Sequence, residues 1–517
     1  MCHIASMLHT VAISDIHLCE LEPGDGLWMR YRQAPYSPAS ELAAMLDALR
    51  GEMAQGTARD GTRHELTLVL NGDVFDFDAP RVIDHKSVFH DLPRSAEHAL
   101  PAMQAMLTDH PVFVEALGRV VADGHTVVFI SGNHDVQLTL PEVRTLVRAA
   151  VVDAALAALG AGRADNGEAP RPGPAREALE GRVVFRAWFH KTPDGIVIEH
   201  GNQYDAYCSY RYPMIPFGRN PGEIQPTMGS LACRLLASRM GYFNPHVDSS
   251  FMLSAFGYLA HWARYYMFSR RSLVVAWALG ALRTLVELVR RREPERRARR
   301  RACLAAAAQE TGTSLRAVAR HARLFARPAE DRLGLVAREL WLDRALFGLL
   351  ALAVTLVWVL LVPGWLAPAA LMAPAALVVY ERLVPKLPLD ATWKRVSRAA
   401  RQVARAHRAR AVVFGHTHTP EGTWEGGLFF GNTGSWSAAF EDVACTRPVF
   451  AARPLVWLRS EAGAGSAARL SGGLVTWKGG RFEPRATSVP PPAGQRAEPQ
   501  GAPCPSLRSP ATAALRT

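Results

Sequence analysis

The stretch "ELTLVLNGDVFDF", residues 65–77, decides the fold class. A short apolar run that ends in Asn-Gly-Asp indicates a buried strand followed at once by a polar loop. The same design occurs in "TVAISDIHL" (10–18) and in "HTVVFISGNHD" (125–135). Helical periodicity lies between these strands, for instance in "SELAAMLDALRGEM" (40–53). Strands that alternate with helices predict an α/β layered core.

Segments farther along the chain continue this pattern. "RVVFRAWFHKTPDGIVIEHGNQYD" (182–205) predicts a hairpin whose second strand ends in a histidine. The strand "AVVF" (411–414) runs directly into "GHTHTP" (415–420), and "GLFFGNTGSW" (427–436) is a further strand and loop. Functional groups collect at the carboxyl ends of strands in α/β cores. We therefore expect these polar loops to contribute to one site.

The side chains that end these strands are hard oxygen or imidazole donors. Together they suit Mn²⁺, Fe, Zn²⁺ or Co²⁺ better than a thiolate-dominated zinc site, and Mn²⁺ is the preferred choice. The candidate metal ligands are Asp15, His17, Asp73, Asn133, His200, His416 and His418. Seven ligands are too many for one transition ion but fit two ions that share a carboxylate. Two metals about 3.5–4 Å apart can generate a hydroxide and clamp both oxygens of a displacement at phosphorus.

The order of these motifs resembles that of the calcineurin-like metallophosphoesterase superfamily, over about residues 1–205 and 406–485. The resemblance implies a two-sheet sandwich flanked by helices. It implies one metal held by Asp15, His17 and His418, a second held by Asn133, His200 and His416, and Asp73 as the bridge between them. His134 would be the catalytic histidine that stabilises the transition state or protonates the leaving oxygen, and Asp135 would orient it.

Within the superfamily, "ISDIHL", "NGDVFD" and "GHTHTP" are most similar to the UDP-2,3-diacylglucosamine pyrophosphatase-type group. That group acts on a lipid-linked pyrophosphate at the membrane surface and carries a helical insert as a lid. This chain departs from the group in having His134 where arginine is typical, and in having a much larger insert. Beside the centre, Asp76 and Asp78 are predicted to orient their loop, and Tyr204 and Asp205 to line the substrate entrance.

The predicted insert, residues 206–405, is aromatic, helical and basic. Its stretch 345–380 contains no charged residue, and a break at Pro363-Gly364 would give two spans, a membrane hairpin. The alternative is a buried helical hairpin in a large soluble insert. Segment 272–289 reads as an amphipathic interfacial helix. Basic residues flank the uncharged stretch on both sides. They are the basic run 290–301 before it, and Arg382, Lys386, Lys394, Arg395 and Arg398 after it. Under the positive-inside rule, both ends of the stretch are expected on the cytoplasmic face.

The amino-acid composition indicates the kind of partner and the redox compartment of this protein. The formal net charge of +12 over 517 residues favours an acidic partner, such as anionic lipid, nucleic acid or a phosphorylated substrate. The seven cysteines show no CxxC spacing, which favours a reducing compartment and argues against a disulfide framework. The Pro-rich residues 486–517 are predicted to be a disordered tail.

These observations favour an enzyme, a metal-dependent phosphoric ester hydrolase that acts on a lipid or lipid-linked phosphate or pyrophosphate at the cytoplasmic face of a membrane. A nuclease or nucleotide phosphodiesterase of the same superfamily is the first alternative, because the basic run could bind nucleic acid. A non-catalytic membrane scaffold that keeps the fold is the second. The sequence leaves the oligomeric state open.

Overall fold

The computed structural model describes residues 6–89, 92–165, 175–218, 220, 222–242, 255–268, 273–291, 295–361, 372–383, 390–438, 440, 445–448, 453–461 and 469–485. The predicted disordered tail, 486–517, lies outside the described residues, and so does the predicted break at Pro363-Gly364.

The described chain is a mixed α/β fold with two main sheets. The strands are β1 Ser6–Ile13, β2 Arg63–Asn71, β3 Arg81–Ile83, β4 Lys86–Val88, β5 Thr126–Ile130, β6 Val183–Arg186, β7 Phe189–Lys191, β8 Ile196–Glu199, β9 Ala411–Phe414, β10 Glu421–Glu425, β11 Leu428–Asn432, β12 Arg453–Glu461, β13 Ser471–Lys478 and β14 Arg481–Pro484. One sheet has the order β14-β13-β12-β1-β2-β5-β6, the other has the order β10-β11-β9-β8-β7, and β3 and β4 form a small hairpin.

The helices connect the strands and lie outside the two packed sheets. They are α1 Ala39–Asp60, α2 Ala96–Asp109, α3 Pro111–Ala122, α4 Pro141–Asp165, α5 Arg176–Glu180, α6 Met228–Ala232, α7 Ser238–Met240, α8 Ala255–Tyr265, α9 Leu273–Arg291, α10 Arg297–Thr311, α11 Leu315–Ala322, α12 Leu333–Glu339, α13 Leu342–Leu361, α14 Met372–Leu383 and α15 Asp390–His407. A π-helical turn, Cys233–Ala237, joins α6 to α7.

The strands that carry the predicted site are parallel within each sheet. In the seven-stranded sheet, β1 pairs in parallel with β2, β2 with β5, and β5 with β6. In the five-stranded sheet, β8 pairs in parallel with β9. Parallel strands expose their carboxyl ends along one edge of a sheet, and these strands read as continuous apolar runs because both of their faces are covered.

The two sheets pack face to face with helices on their outer sides. A shared apolar core joins them and includes Val69, Val128, Ile198 and Val413, all buried. Helices α1 to α4 cover the outer face of the seven-stranded sheet through a second core. Helices α10, α11 and α15 cover the outer face of the five-stranded sheet through a third. The predicted α/β class is therefore observed, and so are two packed sheets with helices on both outer faces.

The predicted insert divides into two parts. Helices α6, α7, α9 and α12 gather around an apolar cluster of their own, which includes Leu231, Ala281 and Val336. Helices α10, α11 and α15 instead belong to the outer layer of the sandwich. Apolar stripes on these three helices, such as Val318 and Val403, are fully buried against it. The basic run 290–301 thus continues into α10, which packs on the five-stranded sheet.

The uncharged stretch forms two helices that contact each other near their charged ends. Phe347 of α13 stacks on Tyr380 of α14 with ring centroids 5.1 Å apart, and the Tyr380 hydroxyl donates to Asp343 Oδ2 at 2.7 Å. Helix α13 has 20 residues and is the only helix among the described residues that is long and apolar enough to cross a membrane. Helix α14 has 12 residues, or about 18 Å at 1.5 Å per residue. The described part of the second predicted span is therefore shorter than a bilayer-crossing helix, and residues 362–371 and 384–389 on either side of it lie outside the described residues.

The hairpin helices and α9 expose large apolar side chains. On α13 these include Leu349, Leu352 and Leu360, which are 66%, 55% and 79% exposed. Helix α9 buries Thr284 and Leu288 on one side, and it exposes apolar residues on the other side: Val274, Val275, Leu279, Leu282, Val286 and Val289. The alternative of a hairpin buried within a soluble insert does not describe α13, whose apolar side chains face outward.

Candidate metal centre

The two sheets bring their strand ends together at one place. The loop after β1 is hydrogen-bonded to the loop after β2, where the Asp15 N–H donates to the Gly72 carbonyl at 3.1 Å. The end of β8 meets the end of β9, where the Gly415 N–H donates to the His200 carbonyl at 2.9 Å. The Trp436 N–H donates to the Asp15 carbonyl at 3.0 Å, which joins the loop after β11 to the same place.

The candidate ligands fall into two groups. The ligand atoms of Asp15, His17 and His418 lie within 4.8 Å of one another, and so do those of Asp73, His200 and His416. In the first group, His418 Nε2 is 3.1 Å from Asp15 Oδ1. The resemblance implies the first group as the ligands of one metal. For the second metal it implies His200 and His416 together with Asn133, and it makes Asp73 the bridge.

Asn133 lies beside the second group, and Asp73 lies close to histidines of both groups. Asn133 Oδ1 is 3.3 Å from His200 Nε2, and Asp73 Oδ2 is 3.0 Å from the same nitrogen. Ligand atoms of Asp73 and His17 also lie within 4.8 Å of each other. One carboxylate therefore lies beside histidines of both groups, which is the position a bridging ligand requires.

Most of the candidate ligands share an unusual backbone conformation. Five of the seven candidate ligands have positive φ values of 51° to 65°: Asp15, His17, Asp73, His416 and His418. This left-handed region is uncommon for residues with a Cβ, costs on the order of 1–3 kcal/mol each, and clusters at functional sites. The fold stabilises it through bonds such as that from the His17 N–H to the Asp73 carbonyl, 2.9 Å long.

Two glycines allow the loops to approach this closely. A Cβ added to Gly132 would lie 2.2 Å from Asp73 Oδ1 and 2.6 Å from the Asp73 backbone nitrogen. A Cβ added to Gly415 would lie 2.5 Å from Ser14 Oγ and 2.9 Å from Asp15 Oδ2. At both positions glycine is needed for space, because any side chain would displace a candidate ligand.

We expect the substitution Gly132→Ala to displace the Asp73 carboxylate and weaken Mn²⁺ binding at least about tenfold, the lower end of the effect of disturbing groups that hold ligands. Titration calorimetry of the purified variant measures this. Gly24→Ala is the control for a glycine substitution, because a Cβ at Gly24 meets no atom within 4 Å and its φ is not positive. Equal affinities for the Gly132→Ala variant and the wild type would contradict the assigned packing.

His200 is oriented by the backbone. Its Nδ1 donates to the Asn71 carbonyl at 2.9 Å, which directs Nε2 toward Asp73 and Asn133. A histidine ligand whose second ring nitrogen donates to a carbonyl is the arrangement common at metal sites, because that bond sets the tautomer and the ring orientation. His200 is 1% exposed.

His134 lies beside the candidate ligands, but a different carboxylate from the predicted one contacts its ring. His134 Nδ1 is 3.0 Å from Asp76 Oδ1 and 3.3 Å from Asp78 Oδ2. Asp135 instead accepts from the backbone N–H groups of Gly132 at 2.6 Å and Val74 at 2.8 Å. The structure thus places Asp76 in the orienting position that the resemblance implies for Asp135, whose carboxylate holds two site loops together.

Charges in the site are strongly coupled. Burial alone would raise the pKa of Asp73, but the neighbouring His200 and His134 outweigh burial and hold that pKa well below its usual range. Burial alone would lower the pKa of His134, but Asp73 and Asp76 raise it to about 10. The pKa of His200 rises to about 9 because Asp73 and Asp15 outweigh its burial. The buried carboxylates thus attract positive charge, which protons or a metal ion can provide.

One further potential ligand lies next to His416. Asp205 Oδ2 is 3.3 Å from His416 Nε2, and the ligand atoms of Asp205, Cys208 and His416 lie within 4.8 Å of one another. The short 3₁₀ turn Asn202–Tyr204 brings Asp205 back to the site. The sequence predicts Asp205 at the substrate entrance, and the structure places its carboxylate beside a candidate ligand.

Tyr204, predicted at the substrate entrance, is instead buried. It is 1% exposed, and its hydroxyl donates to Glu199 Oε1 at 2.6 Å. A nearby tyrosine that the sequence did not single out, Tyr210, contacts the centre instead: its hydroxyl donates to the Asn133 carbonyl at 3.1 Å.

The donor set fits a metal ion. Carboxylate and imidazole donor atoms lie within 4.8 Å of one another in each group, most of these residues are buried, and their backbone and hydrogen-bonded supports are in place. These buried histidine and aspartate groups can hold a metal ion. No family model matches the chain, and no curated protein matches it.

Proposed function

We propose that this protein is a metal-dependent phosphoesterase with a metallophosphoesterase-type sandwich and a centre for two divalent ions, Mn²⁺ being the best candidate. The observation that carries the proposal is the pair of three-residue ligand groups. Asp73 belongs to one group and lies beside His17 of the other. Asp15, His17 and His418 would hold one ion. Asn133, His200 and His416 would hold the other, and Asp73 would bridge them. Bound there, two divalent ions would activate a water molecule and neutralise charge on the phosphoryl oxygens.

The protein's own residues would do the rest of the chemistry. His134 is held through Nδ1 by Asp76, so Nε2 is the nitrogen that would deliver a proton to the leaving oxygen. Asp76 and Asp78, which are not candidate ligands, contribute to the raised pKa of His134 and would favour a protonated ring with the ions bound. An imidazolium beside the phosphoryl group would stabilise the charge that develops in the transition state. The Asp135 carboxylate would hold the loop after β2 against the loop after β5.

The proposal is tested with detergent-extracted, purified protein. With Mn²⁺ it should hydrolyse bis(p-nitrophenyl) phosphate or p-nitrophenyl phosphate, and a chelator should remove the activity. A panel of lipid phosphates, lipid-linked pyrophosphates and nucleotides would then identify the substrate class. Wild-type protein that binds no Mn²⁺ and hydrolyses none of these compounds would refute the proposal.

We also propose that the enzyme works at the cytoplasmic face of a membrane on a lipid or lipid-linked phosphate. The outward-facing apolar residues of α13 and α9 support this, because large exposed apolar patches on a protein mark interaction sites, a membrane surface among them. Under the positive-inside rule, the basic residues that flank the hairpin would put both of its ends on the cytoplasmic side. An apolar substrate would reach the site from the same surface.

The double substitution Leu352→Arg with Val357→Arg tests the membrane assignment. Both side chains are 55% exposed, so a soluble helix would tolerate them. Within a bilayer each arginine costs about 2.5–3.5 kcal/mol, and we expect the variant to leave the membrane fraction. Fractionation followed by alkaline washing measures this, with Leu315→Arg, another exposed leucine, as control. A variant that stays with the membrane, or a wild type that does not, would count against the assignment.

A nuclease is the second candidate, and one surface favours it. The outer faces of α10, α11 and α15 carry exposed arginines: Arg297, Arg300, Arg301, Arg316, Arg320, Arg323, Arg395, Arg398, Arg401 and Arg405. Such a surface could contact a phosphate backbone, and its binding would weaken steeply with salt. Cleavage of nucleic acid by protein that salt alone releases from the membrane would favour this candidate.

A further inference from the structure

The residue immediately before the candidate ligand His200 is a buried carboxylate. Glu199 ends strand β8 and is 1% exposed. A carboxylate at such a position needs hydrogen-bond donors, because an unpaired buried charge is very costly. The residues that provide these donors therefore determine where the end of β8 can lie.

Three side chains donate to Glu199. Trp188 Nε1 donates to Oε2 at 3.0 Å, and the Tyr204 hydroxyl donates to Oε1 at 2.6 Å. His321 Nε2 donates to Oε1 at 2.9 Å and is itself 2.9 Å from the Tyr204 hydroxyl. His321 lies on α11 and is 0% exposed, so the helix layer provides one of the three donors.

A second histidine of the helix layer holds His321. The distance from His321 Nδ1 to His407 Nε2 is 3.0 Å. These two nitrogens share one hydrogen bond, so the ring of His321 contacts Glu199 through Nε2 and His407 through Nδ1. His407 is the last residue of α15. Glu199, His321 and His407 therefore form a continuous buried chain from the metal-site strand to two outer helices.

The other side of Glu199 is tied to the metal-site loops. Its backbone carbonyl accepts from Asn71 Nδ2 at 3.0 Å, and the Asn71 carbonyl accepts from His200 Nδ1 at 2.9 Å. Asn71 is the last residue of β2 and lies two positions before Asp73. Glu199 and His200 are thus held together, by helix side chains on one side and by the end of β2 on the other.

We infer that His321 is a positioning residue for the metal centre. By holding Glu199, helices α11 and α15 set the place of His200 and hence the affinity of the second metal position. The inference rests on the proposed function, because it assigns His200 as a ligand. It makes the outer helix layer part of the metal site's support. A purely structural role would lower stability alone.

The matched pair His321→Gln and His321→Leu separates these roles. The Gln amide nitrogen can take the place of Nε2 and still donate to Glu199, whereas Leu cannot. We expect His321→Leu to weaken Mn²⁺ binding at one position by about 10–100-fold, the range for groups that support metal ligands. His321→Gln should stay within about threefold of the wild type. Calorimetry with Mn²⁺, and the visible spectrum of the Co²⁺-loaded protein, measure this without an activity assay.

Two further variants keep the test decisive. His125→Leu is the control for removing a buried histidine, because His125 immediately precedes β5, at the opposite end of that strand from the centre. It should lower thermal stability and leave Mn²⁺ affinity unchanged. If His321→Leu fails to fold, Glu199→Gln replaces it, and we expect at least tenfold weaker Mn²⁺ binding.

Each outcome has a distinct meaning. Wild-type affinity in His321→Leu, or in Glu199→Gln where that variant is needed, overturns the inference while the proposed function stands. Equal losses in His321→Gln and His321→Leu overturn it too, because then the donor to Glu199 does not matter. Wild-type protein that binds no Mn²⁺ and hydrolyses no phosphoester overturns the proposed function and the inference with it.

Discussion

The Asp73→Asn variant is expected to lose phosphoester hydrolysis by about 10³-fold or more, together with bound metal. Asp73 lies beside histidines of both ligand groups, so a neutral amide there removes the charge that both ions would share. Metal ions contribute several kcal/mol to stabilising a phosphoryl transition state, and about 1.4 kcal/mol corresponds to each tenfold change in rate. Initial rates with bis(p-nitrophenyl) phosphate and metal content by mass spectrometry measure both effects.

Asp84→Asn is the matched control for this experiment. Asp84 is exposed and also has a positive φ of 49°, and asparagine accepts that conformation. The control should keep the activity and the metal content of the wild type. Undiminished hydrolysis in Asp73→Asn would refute the site assignment, and retained metal with lost activity would show that Asp73 acts in catalysis without bridging.

Replacing His134 by glutamine should lower kcat by about 10²–10⁴-fold while bound metal stays unchanged. The residue is placed beside the ligands and is held by Asp76. A group that protonates the leaving oxygen matters most when that oxygen is a poor leaving group. We therefore expect a larger loss with an alkyl phosphodiester than with a p-nitrophenyl ester.

The leaving-group comparison distinguishes the two roles of His134. Equal losses with both esters would assign it to charge stabilisation alone, and loss of metal would make it a ligand. Asp76→Asn should show a weaker form of the same defect, since the ring keeps its place but loses a charged partner. Asp135→Asn should lower stability instead, because its carboxylate accepts backbone N–H groups from two site loops.

Much of the centre could be predicted from local patterns. An apolar run followed by a hard donor marks the carboxyl end of a buried strand, and that pattern holds at Asp15, Asp73, Asn133, His200 and His416. Parallel strands then bring these ends together, because their carboxyl ends lie along a common edge. The two groups of ligand atoms contain six of the seven predicted ligands, and Asn133 lies 3.3 Å from His200 of the second group.

Several contacts could not be predicted in this way. The sequence interpretation has Asp135 orienting His134 because the two residues are adjacent, yet the ring lies against Asp76, 58 residues away. It treats residues 206–405 as one insert, yet α10, α11 and α15 pack on the sandwich. It puts Tyr204 at the substrate entrance, yet that hydroxyl is buried on Glu199.

The sequence by itself determined the strands, the order of the donors and the long apolar stretch, because each depends on periodicity and residue type within about ten positions. Only the tertiary structure decided which carboxylate faces His134, how closely Gly132 must approach Asp73, and that His321 reaches Glu199 from 122 residues away. A hydrogen bond requires two atoms to lie about 3 Å apart. For residues distant in sequence, the packing of whole layers sets that distance, and no local pattern records it.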